Sequence, residues 1–120
     1  MNHAYANNVY KNNQITTAPK KKLLIMLYDG AIKNCKLAEM ALESKDYETV
    51  NTNLKKAQDI INEFMVTLNF ETGGDIAKNL YQLYEYMNFK LVRANIDKNP
   101  EGIIEVKNYL QELRDTWAQI

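Results

Sequence analysis

The sequence predicts an all-α protein: an antiparallel, up-down-up-down four-helix bundle domain over residues 19-120, preceded by a loosely structured N-terminal arm over residues 1-18. Three observations predict it. Four segments each place apolar residues three and four apart, the spacing that returns to one side of a helix and makes one buried stripe. The breaks between them are short, which leaves neighbouring helices antiparallel. No stretch shows the alternation of a strand, and no internal repeat exists beyond the stripes.

The arm is rich in Asn and Thr, which compete with helix by bonding to their own backbone, yet it carries Tyr5, Val9 and Tyr10. Thr17 or Ala18 followed by Pro19 reads as a helix start, since proline at the first helical position gives up no needed donor. The first helix then runs to about Glu43 on a seam of Leu24, Tyr28, Ala31, Cys35, Ala38 and Leu42. Ser44 to Asp46 break it, with Asp46 placed to cap the second helix, whose seam is Tyr47, Val50, Leu54, Ala57, Ile61, Phe64 and Leu68. Gly73 and Gly74 permit left-handed backbone and make Asn69 to Asp75 a break, with Thr72 or Asp75 as the cap of the third helix. Its seam is Ala77, Leu80, Tyr84, Met87, Leu91 and Ala94. Asn99 and Pro100 open the fourth helix, which carries Ile103, Val106, Leu110, Leu113, Trp117 and Ile120.

At 120 residues the chain is long enough for one core that needs no disulfide or metal. Lys plus Arg and Asp plus Glu are both 15, and that balance argues against nucleic acid, whose phosphates call for a basic excess. The single Cys35 lies in a seam, where a thiol acts as a small apolar side chain and fits a reducing compartment. No signal-peptide pattern and no apolar run of about 20 residues is present, so a soluble cytoplasmic protein without membrane insertion is expected.

Catalytic and metal chemistry find no support. Di-metal bundles need Glu and His at paired spacing on facing helices, and the only histidine, His3, lies in the arm. No buried histidine is available to activate Cys35, and the acidic residues are spread singly along polar faces. The Gly73-Gly74 pair lacks the lysine and hydroxyl of a phosphate loop. Accordingly no enzyme, no cofactor and no metal is expected. Lys20, Lys21 and Lys22 open the first helix at its positive dipole end, as solvated surface or as a contact for an acidic partner.

Two helices carry a second apolar face. Stepping at about 100° per residue places Met26, Leu37 and Met40 opposite the first seam, among Asp29, Lys33 and Lys36. On the third helix Phe89 lies away from the seam, flanked by Tyr86 on one side and by Tyr81 and Val92 on the other. A helix apolar on both sides is covered on both sides. A central helix packed on three others, a homodimer, or a groove for a foreign amphipathic helix each account for this.

The motifs Ala4-Tyr5, Ile15-Thr16-Thr17-Ala18-Pro19, Met26-Leu27-Tyr28-Asp29-Gly30-Ala31-Ile32, Gly73-Gly74-Asp75-Ile76-Ala77, Leu80-Tyr81, Leu83-Tyr84-Tyr86-Met87 and Leu113-Arg114-Asp115-Thr116-Trp117 follow one another in order. Together they give a chain that resembles the FliS family of flagellin export chaperones over nearly its whole length. The resemblance implies an antiparallel helical bundle that binds the disordered C-terminal segment of flagellin in the cytoplasm. It further implies that the bundle prevents premature polymerisation and assists delivery to the flagellar type III export apparatus, whose components are further expected partners. In the family the client wraps the bundle, with short helical pieces in apolar grooves, and the chaperone's own arm can occupy part of that surface. The expected client-binding residues are Tyr5, Tyr10, Met26, Leu37, Met40, Tyr81, Tyr86, Phe89 and Val92. The competing reading is a self-associating bundle with a structural or regulatory protein-binding role. As to assembly, a monomer or weak homodimer is expected.

Overall fold

A computed structural model describes the backbone of residues 17–120 and the side chains from Lys20 onward. It contains helices α1 (Thr17–Glu43), α2 (Tyr47–Thr67), α3 (Phe70–Asp97) and α4 (Pro100–Gln119), and no strand occurs among the described residues. α1 and α3 each pack against both α2 and α4, while the backbones of α1 and α3 do not approach one another. The four helices therefore stand at the corners of a square, as the short breaks predict. With two neighbours apiece, none of them is central, so the outward faces of α1 and α3 are not explained by a helix surrounded on three sides.

The helix ends follow from local chemistry. α1 stops where Lys45 turns left-handed at φ 59° and the Asp46 amide returns to the Ala41 carbonyl at 2.8 Å, which satisfies a terminal carbonyl. Asp46 then caps α2, its carboxylate accepting from the Thr49 amide at 3.3 Å and from the Thr49 hydroxyl at 2.6 Å. Asn99 does the same for α4, accepting from the Glu101 amide at 2.9 Å, with Pro100 in the first turn.

The start of α3 differs from the sequence expectation. Asn69, rather than Thr72 or Asp75, supplies the cap, accepting from the Glu71 amide at 3.0 Å and the Thr72 amide at 3.1 Å. With those donors satisfied one helical turn forms ahead of the glycines, and the axis breaks only at Gly74, whose φ of 53° and ψ of −127° suit a residue without a Cβ.

Inside the square the four seams meet. Tyr28 stacks on Phe64 with ring centres 4.3 Å apart, Phe64 meets Tyr84 at 5.4 Å, and the Tyr28 and Tyr84 hydroxyls bond to each other across the diagonal at 2.5 Å. That bond satisfies two buried polar groups which would otherwise oppose folding. Tyr47 and Ile120, expected in the seams, are exposed, because they stand at the first position of α2 and beyond the last of α4. Cys35 is wholly buried, and burial, reinforced by the nearby Glu39 charge, pushes its thiol up to about 12.

Candidate functional site: two exposed apolar stripes

α1 turns Met26, Leu37 and Met40 to solvent, with 59% of Met26 and 65% of Met40 exposed. Leu23, three residues before Met26, extends the same stripe and is 58% exposed. Gly30 and Lys33 continue its three-four spacing through the middle. The side of α1 toward α4 is fixed by ion pairs, Asp29 to Arg114 at 2.9 Å and Glu39 to Lys107. These hold the helix with its Leu23–Met40 stripe turned out.

α3 is oriented in the same way. On its α2 side the Asn88 amide donates to Asn62 at 2.7 Å and the Lys98 ammonium to Asn51 at 2.6 Å. On its α4 side Lys90 sits 3.4 Å from Glu105. Between these edges Phe89, Val92 and Ile96 face outward, Phe89 with 59% of its surface exposed. Tyr86, though partly exposed, is held by α4: its hydroxyl donates to Glu105 at 2.7 Å and its ring meets Tyr109 edge-on at 6.2 Å. That hydrogen bond keeps the Tyr86 proton in place, raising its pKa, and lowers that of the accepting Glu105. Tyr81 is half-buried and leans on Phe70 with ring centres 5.8 Å apart.

The sequence-predicted residues thus fall into two groups that the fold does not unite. Met26, Leu37 and Met40 lie on one corner of the square, and Phe89 and Val92 lie on the diagonal corner. Tyr5 and Tyr10 lie outside the described residues. Leu23 and Ile96, outside the predicted set, are exposed as well, and each continues a predicted stripe, three residues before Met26 and four after Val92.

At the end of the bundle where α1 begins, an apolar depression of about 190 Å³ opens between Leu24, Tyr28, Phe64, Leu68, Leu80, Tyr84 and Trp117. Two neighbouring depressions carry lysines on their rims, one of about 270 Å³ over Leu24, Trp117 and Ile120 with Lys20 and Lys21, the other of about 420 Å³ over Ile25 and Met26 with Lys21 and Lys22. Among the described residues no cluster of three or more His, Cys, Asp or Glu is placed to hold a metal, and no helix is long and apolar enough to cross a membrane.

The whole chain, residues 1–120, matches the sequence model of a family described as flagellar protein FliS. Among curated proteins it is 39% identical over 110 residues to the flagellar secretion chaperone FliS of Bacillus subtilis, an alignment covering 92% of this chain and 81% of that one. It is 36% identical to the Salmonella typhimurium protein of the same name (98% and 87% covered) and 32% identical to that of Campylobacter jejuni (100% and 94% covered).

Proposed function

Because the chain belongs to the FliS family of flagellar secretion chaperones, we propose that it holds the C-terminal segment of flagellin in the cytoplasm, keeps it from polymerising and hands it to the flagellar type III export apparatus. The observation that carries this reading is the pair of apolar stripes exposed among the described residues on the diagonal helices α1 and α3, which suit a long client wound around the bundle. A segment that is disordered when free must order itself on binding, at a cost of a few kcal/mol, so a wrapped contact with several anchors is needed. At about 25 cal/mol per Å² of apolar area, covering one large side chain such as Phe89 yields on the order of 1–3 kcal/mol. The N-terminal arm, with Tyr5 and Tyr10, serves as a displaceable cover for part of this surface, so deleting residues 1–12 changes client affinity and leaves the bundle folded.

Titrating the full chain with a flagellin C-terminal peptide in a calorimeter tests the proposal. Binding is expected, and Phe89→Ala is expected to weaken it by about tenfold, in line with the loss of one apolar anchor. Absence of binding to the unmodified chain overturns the proposal, and unchanged affinity in the variant removes α3 from the client path.

A further inference from the structure

The two stripes differ in charge. On α1, Glu39 is paired with Lys107 and Asp29 with Arg114, which it shares with Asp115 of α4 so that one carboxylate is left over at that edge, whereas Lys22, Lys33 and Lys36, three cations, have no ion-pair partner among the described residues. Lys20 and Lys21 add to the same sign around the depressions beside Leu24 and Met26. The remaining carboxylate, Glu43, is the last residue of the helix, beyond Met40. At 100° per residue α2 turns Lys56 and Glu63 toward this flank, one of each sign, which leaves the lysine excess intact. The result is an apolar stripe at helical spacing bordered by cations. The outward face of α3 is mixed, carrying Lys78 and Glu85 and the Arg93–Asp97 pair.

Residues 1–16 contain no Asp or Glu and one lysine, Lys11, so the arm offers no anionic complement. Pairing the α1 face with that of a second copy sets lysine against lysine, a like-charge arrangement that disfavours association. We propose that the outward stripe of α1, from Leu23 to Met40, docks an amphipathic helix of another protein whose apolar seam is flanked by Asp and Glu. The inference rests on the reading of α1 as a protein-docking face and adds the charge and conformation of what it takes. Apolar contact along the stripe supplies affinity, while the lysines select the partner and speed its approach in a salt-dependent manner.

The test uses the full chain and two labelled helical peptides with the same leucine seam, one flanked by glutamate and the other by lysine, with binding read by fluorescence anisotropy. The acidic peptide is expected to bind about tenfold more tightly at low salt, with the gap narrowing as salt is added. In Lys22→Glu/Lys33→Glu/Lys36→Glu, with helix content by circular dichroism unchanged, the preference is expected to vanish or invert. Equal affinity for the two peptides, binding of neither, or a preference that survives the triple substitution overturns the inference. A flagellin C-terminal peptide titrated alongside separates the two readings: if it binds while the acidic preference is missing, only this inference fails, and if it does not bind, the proposed function itself fails.

Discussion

α1 carries two apolar stripes at one spacing, and they end in opposite surroundings. Tyr28, Ala31, Cys35 and Ala38 are sealed from solvent, while Leu23, Met26, Leu37 and Met40 expose between 37% and 65% of their surface. α3 repeats the contrast, with Met87 and Leu91 inside and Phe89 and Val92 outside. The lesson is that periodicity identifies the faces of a helix and leaves open what covers each one. The interleaved charges decide it: the inner stripe of α1 has none, and the outer one runs through Lys33 with Lys22 and Lys36 beside it. A lysine can lay its stem on apolar surface and keep its ammonium in water, so such a stripe tolerates exposure until a partner arrives.

The largest expected effect separates the inner and outer faces of α3 by two residues. Leu91→Ala removes a fully buried side chain and is expected to cost about 2–5 kcal/mol of unfolding free energy, from lost transfer energy and the cavity left behind. Phe89→Ala, on the exposed face, is expected to stay within about 0.5 kcal/mol of the unmodified chain. Denaturant unfolding of the two variants measures both, and similar losses would dissolve the distinction on which the client surface rests.

A smaller effect uses a titratable group that only the inner stripe of α1 contains. Burial pushes the Cys35 thiol up to about 12 from an ordinary value of 9.0. The unfolded chain therefore releases this proton first. Stability is full below about pH 9 and falls as pH climbs toward 12, by at most about 1.4 kcal/mol per pH unit for one group. Burial raises Tyr28 and Tyr84 as well, and their mutual hydrogen bond does not remove that shift, so they add to the alkaline loss above their ordinary value of 10.0. Cys35→Ala is expected to flatten the fall of the denaturation midpoint between pH 9 and 12, and an unchanged slope would mean the thiol titrates as it does in water.

Most of this contrast is legible in the sequence. The seams, the caps at Asp46 and Asn99, and the outward turn of Met26, Met40 and Phe89 all follow from spacing and from residue types that bond their own backbone. What escaped depends on neighbours rather than on the chain's own period. Tyr86 looked like a free aromatic until Glu105, nineteen positions away, took its hydroxyl. The separation of the two stripes onto diagonal corners required knowing which helices pack together. Gly102 carried no signal at all, yet a Cβ there would stand 3.1 Å from the Lys90 carbonyl oxygen and 3.2 Å from Ala94, so it sets the close approach of α4 to α3.

Gly30 gives the smallest effect and the sharpest test of the outer stripe. It is helical, and a Cβ added there meets only the Ile60 side chain at 3.5 Å, an ordinary contact. Because glycine in a helix interior is about 0.5–1 kcal/mol less favourable than alanine, Gly30→Ala is expected to stabilise the bundle by that amount, read as a small rise in the thermal midpoint. The same methyl would stand half-way along the stripe from Leu23 to Met40, at its α2 edge beside Ile60. If that stripe receives a partner there, affinity for the flagellin peptide falls while stability rises, two changes of opposite sign from one atom. Rising stability with unaltered affinity would place the docked segment away from Gly30, toward one end of α1.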